Sequence, residues 1–108
     1  MLAGVAGIEV PQWPANTGSN YTYFPVRVTA AFRESRDALY ARLKANNIFS
    51  RRYFFPLISS MPMYRDMQSA APHNLPSAEQ VAAQILCLPI HTGMSEETAA
   101  HIVKLIAD

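Results

Sequence analysis

The sequence predicts an α/β (α+β, two-layer) domain: a small mixed or antiparallel sheet of about three strands with helices packed on it. Three observations carry this expectation. Helical spacing of apolar residues recurs at 78–85 and 99–106, the latter behind a capping Ser95. Stretches rich in β-branched and aromatic residues, 21–29 and 48–55, alternate with the helical segments. The chain has 108 residues, half of them apolar, which suffices for one core and not for two.

The elements follow in order. Residues 1–20 form an irregular lead-in, because "PQWPANTGSN" carries two prolines, a glycine and two asparagines. "YTYFPVRVT" (21–29) alternates as a strand does, and Pro25, which cannot donate to a ladder, marks an edge or a bulge. Ser35 caps a helix that ends near Asn46, with Asp37 in the first turn and Arg42 and Lys44 late, as the macrodipole favours. Leu39 and Leu43, one turn apart, are its buried stripe, and Asn46-Asn47 is its stop. "IFSRRYFF" reads as a second strand. Residues 56–75, with three prolines and three methionines and no helical period, read as a long ordered loop. "PSAEQVAAQIL" is helical, burying Ala78, Val81, Ala82 and Ile85, and "CLPI" is a short apolar strand. Ser95 caps the last helix, whose buried face is Ala99, Ile102, Val103 and Ile106.

Composition excludes several classes of function. A formal net charge of +1 provides no broad field for a nucleic acid, so any anion must be met by a few arginines. No apolar run reaches the ~20 residues that span a bilayer, so no membrane partner is expected. "MLAGVAGIEV" lacks a basic start and is interrupted by Glu9, so it is not read as a signal peptide. The single cysteine excludes an internal disulfide and suits a reducing compartment; the expectation is a cytoplasmic protein.

Most chemistry-bearing residues have a structural reading. Cys87 sits between Leu86 and Leu88, where an inert core thiol belongs. His73, His91 and His101 lack metal-ligand spacing, so no metal site is expected. Asp37, Glu79, Glu96 and Glu97 lie at helix starts and form no acid–base couple. The stretch "RRYFFPLISSMPMYR" (51–65) is different, since it places cations and aromatics together. Arg51 and Arg52, adjacent on a strand, leave on opposite faces and cannot share a role. Two readings stay open: an arginine stacked on Tyr53 or Tyr64 and bonded to a helix carboxylate, or a guanidinium fork for a phosphate or carboxylate. The division expected is one structural arginine and one facing a cleft, the latter taken as Arg52 for its adjacency to Tyr53.

"NYTYFPV", "SRDALYARLKANNIFSRRYFFPLISSMPMYR", "NLPSAEQVAAQILCLPIHTGMSEE" and "IVKLI" resemble, in order and spacing, the C-terminal part of the DegT/DnrJ/StrS sugar aminotransferases. The resemblance runs from Asn20 onward. It implies the small C-terminal domain of an aspartate-aminotransferase-like fold, over residues 1–108 as one domain. It implies pyridoxal phosphate as cofactor of the complete enzyme, and an amino group moved, commonly from glutamate, onto a nucleotide-linked keto-sugar. "YFFPLIS" followed by "MPMYR" is most like members acting on dTDP-linked 4-keto-6-deoxyhexoses.

The resemblance also implies what lies elsewhere. The cofactor lysine, the pyridine-binding aspartate and the phosphate-binding serines belong to a large domain outside these residues. Lys44 and Lys104 are in no comparable context, so this chain alone is expected to be inactive and to hold no cofactor. Many members read "PLH" where Pro56-Leu57-Ile58 stand, so Ile58 supplies no imidazole. The family's small domain closes one side of the active-site cleft at a dimer interface, which implies a homodimer. Arg51, Arg52, Tyr53, Phe55 and Ser59 are then the candidate substrate-binding residues, with no catalytic residue among them. Two other readings remain: a free-standing α/β module for an acidic small ligand, and a structural or regulatory partner that docks on a separate subunit.

Overall fold

The computed structural model describes residues 2–108. Three strands form one antiparallel sheet in the order β1 (Ile8–Glu9), β2 (Phe24–Val28), β3 (Ile85–Leu88). Helices α1 (Arg36–Ala45), α2 (Pro76–Gln84) and α3 (Glu96–Ala107) pack around it. Among the described residues no helix is long and apolar enough to cross a membrane.

Register sorts the side chains. Ile8 pairs with Val28, Val26 with Leu86 and Phe24 with Leu88, so these residues share one face. That face meets Leu39 and Leu43 of α1 and Ile102 and Ile106 of α3, which form the core with Leu2 and Phe32. The opposite face carries Pro25, Arg27, Ile85 and Cys87, and α2 packs toward β2 with Ala82 buried. All of β3 is buried, since both of its faces are covered.

The caps form as expected. Ser35 accepts from the Ala38 N–H at 3.2 Å and Ser95 from the Thr98 N–H at 3.1 Å, while Asn47 takes φ 61° after α1. Pro25 lies on the central strand of the sheet, yet it faces no neighbour on the β1 side, because β1 is only two residues long and pairs with Arg27 and Val28. The long loop 56–75 is organised by three single 3₁₀ turns, at Ile58–Ser60, Gln68–Ala70 and Pro72–Asn74.

Three expectations change. The lead-in 1–20 is not wholly irregular, for it contributes β1; Gly7, at φ 79°, lies so close to Phe32 that a side chain would collide with its backbone. Stretch 48–55 is not a strand. It makes a single bridge, Arg51 to Cys87, because Asn47 turns the chain before it and Phe54, at φ 46°, turns it again just after, with Pro56 lacking an N–H. Finally, α2 runs into β3 without a loop, so Ile85 is buried from the strand and Val81 is exposed.

Candidate functional site

The bridge to β3 is what positions the site. The Arg51 N–H donates to the Cys87 carbonyl at 2.9 Å, and the Cys87 N–H donates to the Arg51 carbonyl at 2.8 Å. Arg51 thus forms one extra rung on the free edge of the sheet, on the face that carries Cys87 and Pro25. A cleft of about 270 Å³ opens there, bordered by Thr22, Tyr23, Phe49, Arg51 and the segment from Cys87 to His91.

Every other arginine is spoken for inside the domain. Arg27 pairs with Glu9 at 2.9 Å and donates to Gln84 at 2.7 Å. Arg33 donates to the carbonyls of Ile106 and Ala107, and Arg42 binds Glu34 at 2.6 Å and the Leu105 carbonyl. Arg36 and Arg52 both reach Asp37, and Arg65 lies 3.8 Å from Asp66. Of the arginines, Arg51 alone has neither an ion pair nor a side-chain hydrogen bond among the described residues, and it is exposed. Its charge is still felt: burial pushes the Cys87 thiol above the ordinary thiol value, and the Arg51 guanidinium partly offsets that rise. Cys87 is therefore a protonated core thiol, as its neighbours in sequence suggested.

An unpaired guanidinium has five donors in a planar fork, matched to a phosphate or carboxylate. Thr22, Tyr23 and His91, which border the same cleft, carry hydroxyl and imidazole groups that can add single hydrogen bonds. Tyr23 also meets Tyr53 edge-on, with ring centroids 5.1 Å apart, and Tyr53 lies 4.3 Å from Phe54, which is 70% exposed. A row of aromatic rings therefore leads from the cleft to the surface.

The two arginines differ in their contacts: Arg52, expected to face a cleft, is engaged inside the domain, and Arg51 is the one that borders the cleft. Arg52 is the engaged one, 3.4 Å from Asp37 with its guanidinium over the rings of Tyr40 and Phe55. Its aromatic partners are these two, not Tyr53 or Tyr64. The opposite-face reasoning fails because the stretch is not a strand; Arg51 is held by a backbone bridge and Arg52 by its side chain. Of the remaining candidates, Tyr53 supports Tyr23, whereas Phe55 and the half-buried Ser59 do not border the cleft. Thr22, Tyr23 and His91 escaped the sequence reading because no periodicity links residues 22, 51 and 91. Among the described residues no group of three His, Cys, Asp or Glu side chains could hold a metal.

A second hollow, of about 420 Å³, is apolar, bordered by Val10, Phe24, Ile90, Met94, Ile102 and Val103 among others. With no charged or titratable side chain among the described residues on its walls, it offers nothing there for acid–base work. Large apolar side chains also stand exposed on the surface, including Trp13, Phe49, Phe54, Ile58, Met63 and Met67.

The model of the DegT/DnrJ/EryC1/StrS aminotransferase family matches residues 1–107. A dTDP-4-amino-4,6-dideoxy-D-glucose transaminase of Escherichia coli is 51% identical over 98% of this chain, and one of Shigella dysenteriae is 35% identical over 99%. The chain spans only 29% of the length of each. Among solved structures, DesV of S. venezuelae, in complex with a ketimine intermediate, superposes with a TM-score of 0.83 at 27% identity, covering 98% of this chain and 27% of that one. A DegT DnrJ EryC1 StrS aminotransferase from Brucella abortus gives 0.75 at 31% identity, covering 93% of this chain and 25% of its own.

Proposed function

From the premise that the chain belongs to the DegT/DnrJ/EryC1/StrS aminotransferase family, we propose that it is the small-domain part of a sugar aminotransferase. The complete enzyme would move an amino group, with glutamate as donor, onto a dTDP-linked 4-keto-6-deoxyhexose. It would work in the cytoplasm as a homodimer, in the making of cell-surface polysaccharide or antibiotic sugars. The 51% identity to the E. coli dTDP-4-amino-4,6-dideoxy-D-glucose transaminase supports the choice of sugar. The observation that carries a role for this segment is Arg51, which borders the cleft and whose guanidinium has no ion-pair or hydrogen-bond partner among the described residues. Its part is to hold an anionic group of a substrate while Tyr23, Tyr53 and Phe54 border the apolar face of the sugar.

Pyridoxal phosphate does not fit the residues present. Lys44 on α1 and Lys104 on α3 are both exposed and neither borders the cleft, so among the described residues no amine stands where the cofactor's carbonyl could be held. In this reading the cofactor is held by the rest of the enzyme, and no step of the amino transfer is assigned to these residues. The exposed apolar side chains are consistent with a surface that the rest of the enzyme covers.

A chimera tests this reading. The matching segment of the E. coli transaminase is replaced by this chain and transamination of the dTDP-4-keto-sugar is followed. Activity is expected to survive, and Arg51→Ala within the chimera is expected to raise the KM for one substrate. A folded chimera that binds cofactor but turns over no sugar would defeat the assignment.

A further inference from the structure

One charged residue is buried without being needed for the cleft as described. Arg36 opens α1 and is only 3% exposed. A guanidinium in that setting is costly unless it is paired and hydrogen-bonded. Its Nη1 donates to the Ile85 carbonyl at 3.0 Å, at the first residue of β3. Its guanidinium carbon lies 5.0 Å from the centre of the Phe55 ring. Asp37 Oδ1 lies 2.9 Å from its Nε, off the line of the N–H, so that contact is an ion pair without a formed hydrogen bond. The same Oδ1 reaches Arg52, whose guanidinium lies 4.7 Å from the centre of the same Phe55 ring.

Phe55 is thus held by two cations, both tethered to the first turn of α1. Ile85 precedes Cys87 by two residues, and Cys87 holds Arg51 by both of its backbone hydrogen bonds. From Arg36, two short routes end on Arg51: one through β3 and one through Phe55 and Arg52.

We propose that Arg36 is a positioning residue: by gripping Ile85 and Phe55 at once, it fixes where the Arg51 guanidinium stands in the cleft. This rests on the reading of Arg51 as the anion-binding group. No other residue type combines these contacts. Methionine fills the volume and can touch Phe55 but leaves the Ile85 carbonyl without its donor; lysine restores a donor but not the planar face against the ring.

The test uses the full chain with Arg36→Met, Arg36→Lys, Phe55→Leu and the double variant Arg36→Met/Phe55→Leu. Trypsin cleavage after Arg51 and Arg52 under native conditions is divided by cleavage after the exposed Arg65, and the Arg51 side-chain N–H signals are titrated with inorganic pyrophosphate. A merely structural role loosens all sites together and leaves the cleavage ratio unmoved. The ratio is expected to rise about two- to fivefold in Arg36→Met, as suits one lost cation–π contact. Lysine should restore it in part, Phe55→Leu should mimic it, and the double variant should add little. Pyrophosphate affinity should fall in the same order.

A wild-type ratio in both Arg36→Met and Phe55→Leu overturns the proposal. If Arg36→Met does not fold, Arg36→Lys and Phe55→Leu are read in the same way. Arg51→Ala separates the two claims. Binding lost there but unchanged in the Arg36 variants overturns the positioning role alone; binding unchanged in Arg51→Ala overturns the reading of the cleft and the positioning role with it.

Discussion

Truncating Arg51 to alanine separates its backbone from its side chain, because the two do different things. The backbone makes both hydrogen bonds to Cys87, at 2.9 and 2.8 Å, and these survive the substitution. The side chain makes no ion pair or side-chain hydrogen bond among the described residues, so folding stability should move by no more than about 0.5 kcal/mol, the range of an ordinary surface change. Binding is another matter. A guanidinium–oxyanion contact contributes roughly 1.5–3 kcal/mol, and solvent exposure places Arg51 at the lower end of that range. With 1.4 kcal/mol for each factor of ten, pyrophosphate affinity should fall about tenfold. Arg51→Lys should recover only part of it, since an ammonium lacks the bidentate fork. The assay is calorimetric or NMR titration of the wild type, Arg51→Ala, Arg51→Lys and Arg52→Ala, with thermal midpoints measured beside it. Arg52→Ala should show the opposite profile: a small loss of stability, from its contacts with Asp37, Tyr40 and Phe55, and little loss of binding. Equal affinity in Arg51→Ala and the wild type, or a larger binding loss in Arg52→Ala, would refute the assignment.

Stability should decline as pH rises through the alkaline range. Cys87 has a folded-state pKa above its unfolded value, so its contribution is complete below the unfolded thiol pKa and is lost as pH climbs toward the folded one; Cys87→Ala should flatten the slope in pH-dependent denaturation. Arg51→Ala should push that thiol higher still, seen as slower alkylation at alkaline pH. Gly7→Ala should prevent β1 from docking, because an added Cβ would lie 2.1 Å from the Phe32 backbone nitrogen at φ 79°, whereas Gly18→Ala, with open space around it, should leave the thermal midpoint in place. Leu43→Ala, at a fully buried position, should cost about 2–5 kcal/mol in chemical denaturation with activity-independent readout.

What the residues determined without tertiary information was local. Ser35 and Ser95 cap their helices wherever those helices go, because a hydroxyl three residues ahead of an N–H is a one-turn interaction. The spacing of Leu39 and Leu43, and of Ile102 and Ile106, obliges those faces to be buried together. The order of aromatic, proline and arginine residues was enough for the family, since it repeats over nearly the whole chain. Tertiary structure decided the rest. The stretch 48–55 has the composition of a strand, but Asn47 just before it and Phe54 within it take positive φ, so it meets β3 at a single rung. Asp37 looks like a helix-start carboxylate, and it becomes a shared partner for Arg36 and Arg52 only when the loop folds back on α1. Which arginine stays unpaired depends on which of two adjacent side chains finds Asp37, Tyr40 and Phe55. No pattern in one dimension encodes that, because the partners lie up to fifteen residues away and meet only through the packing of the loop.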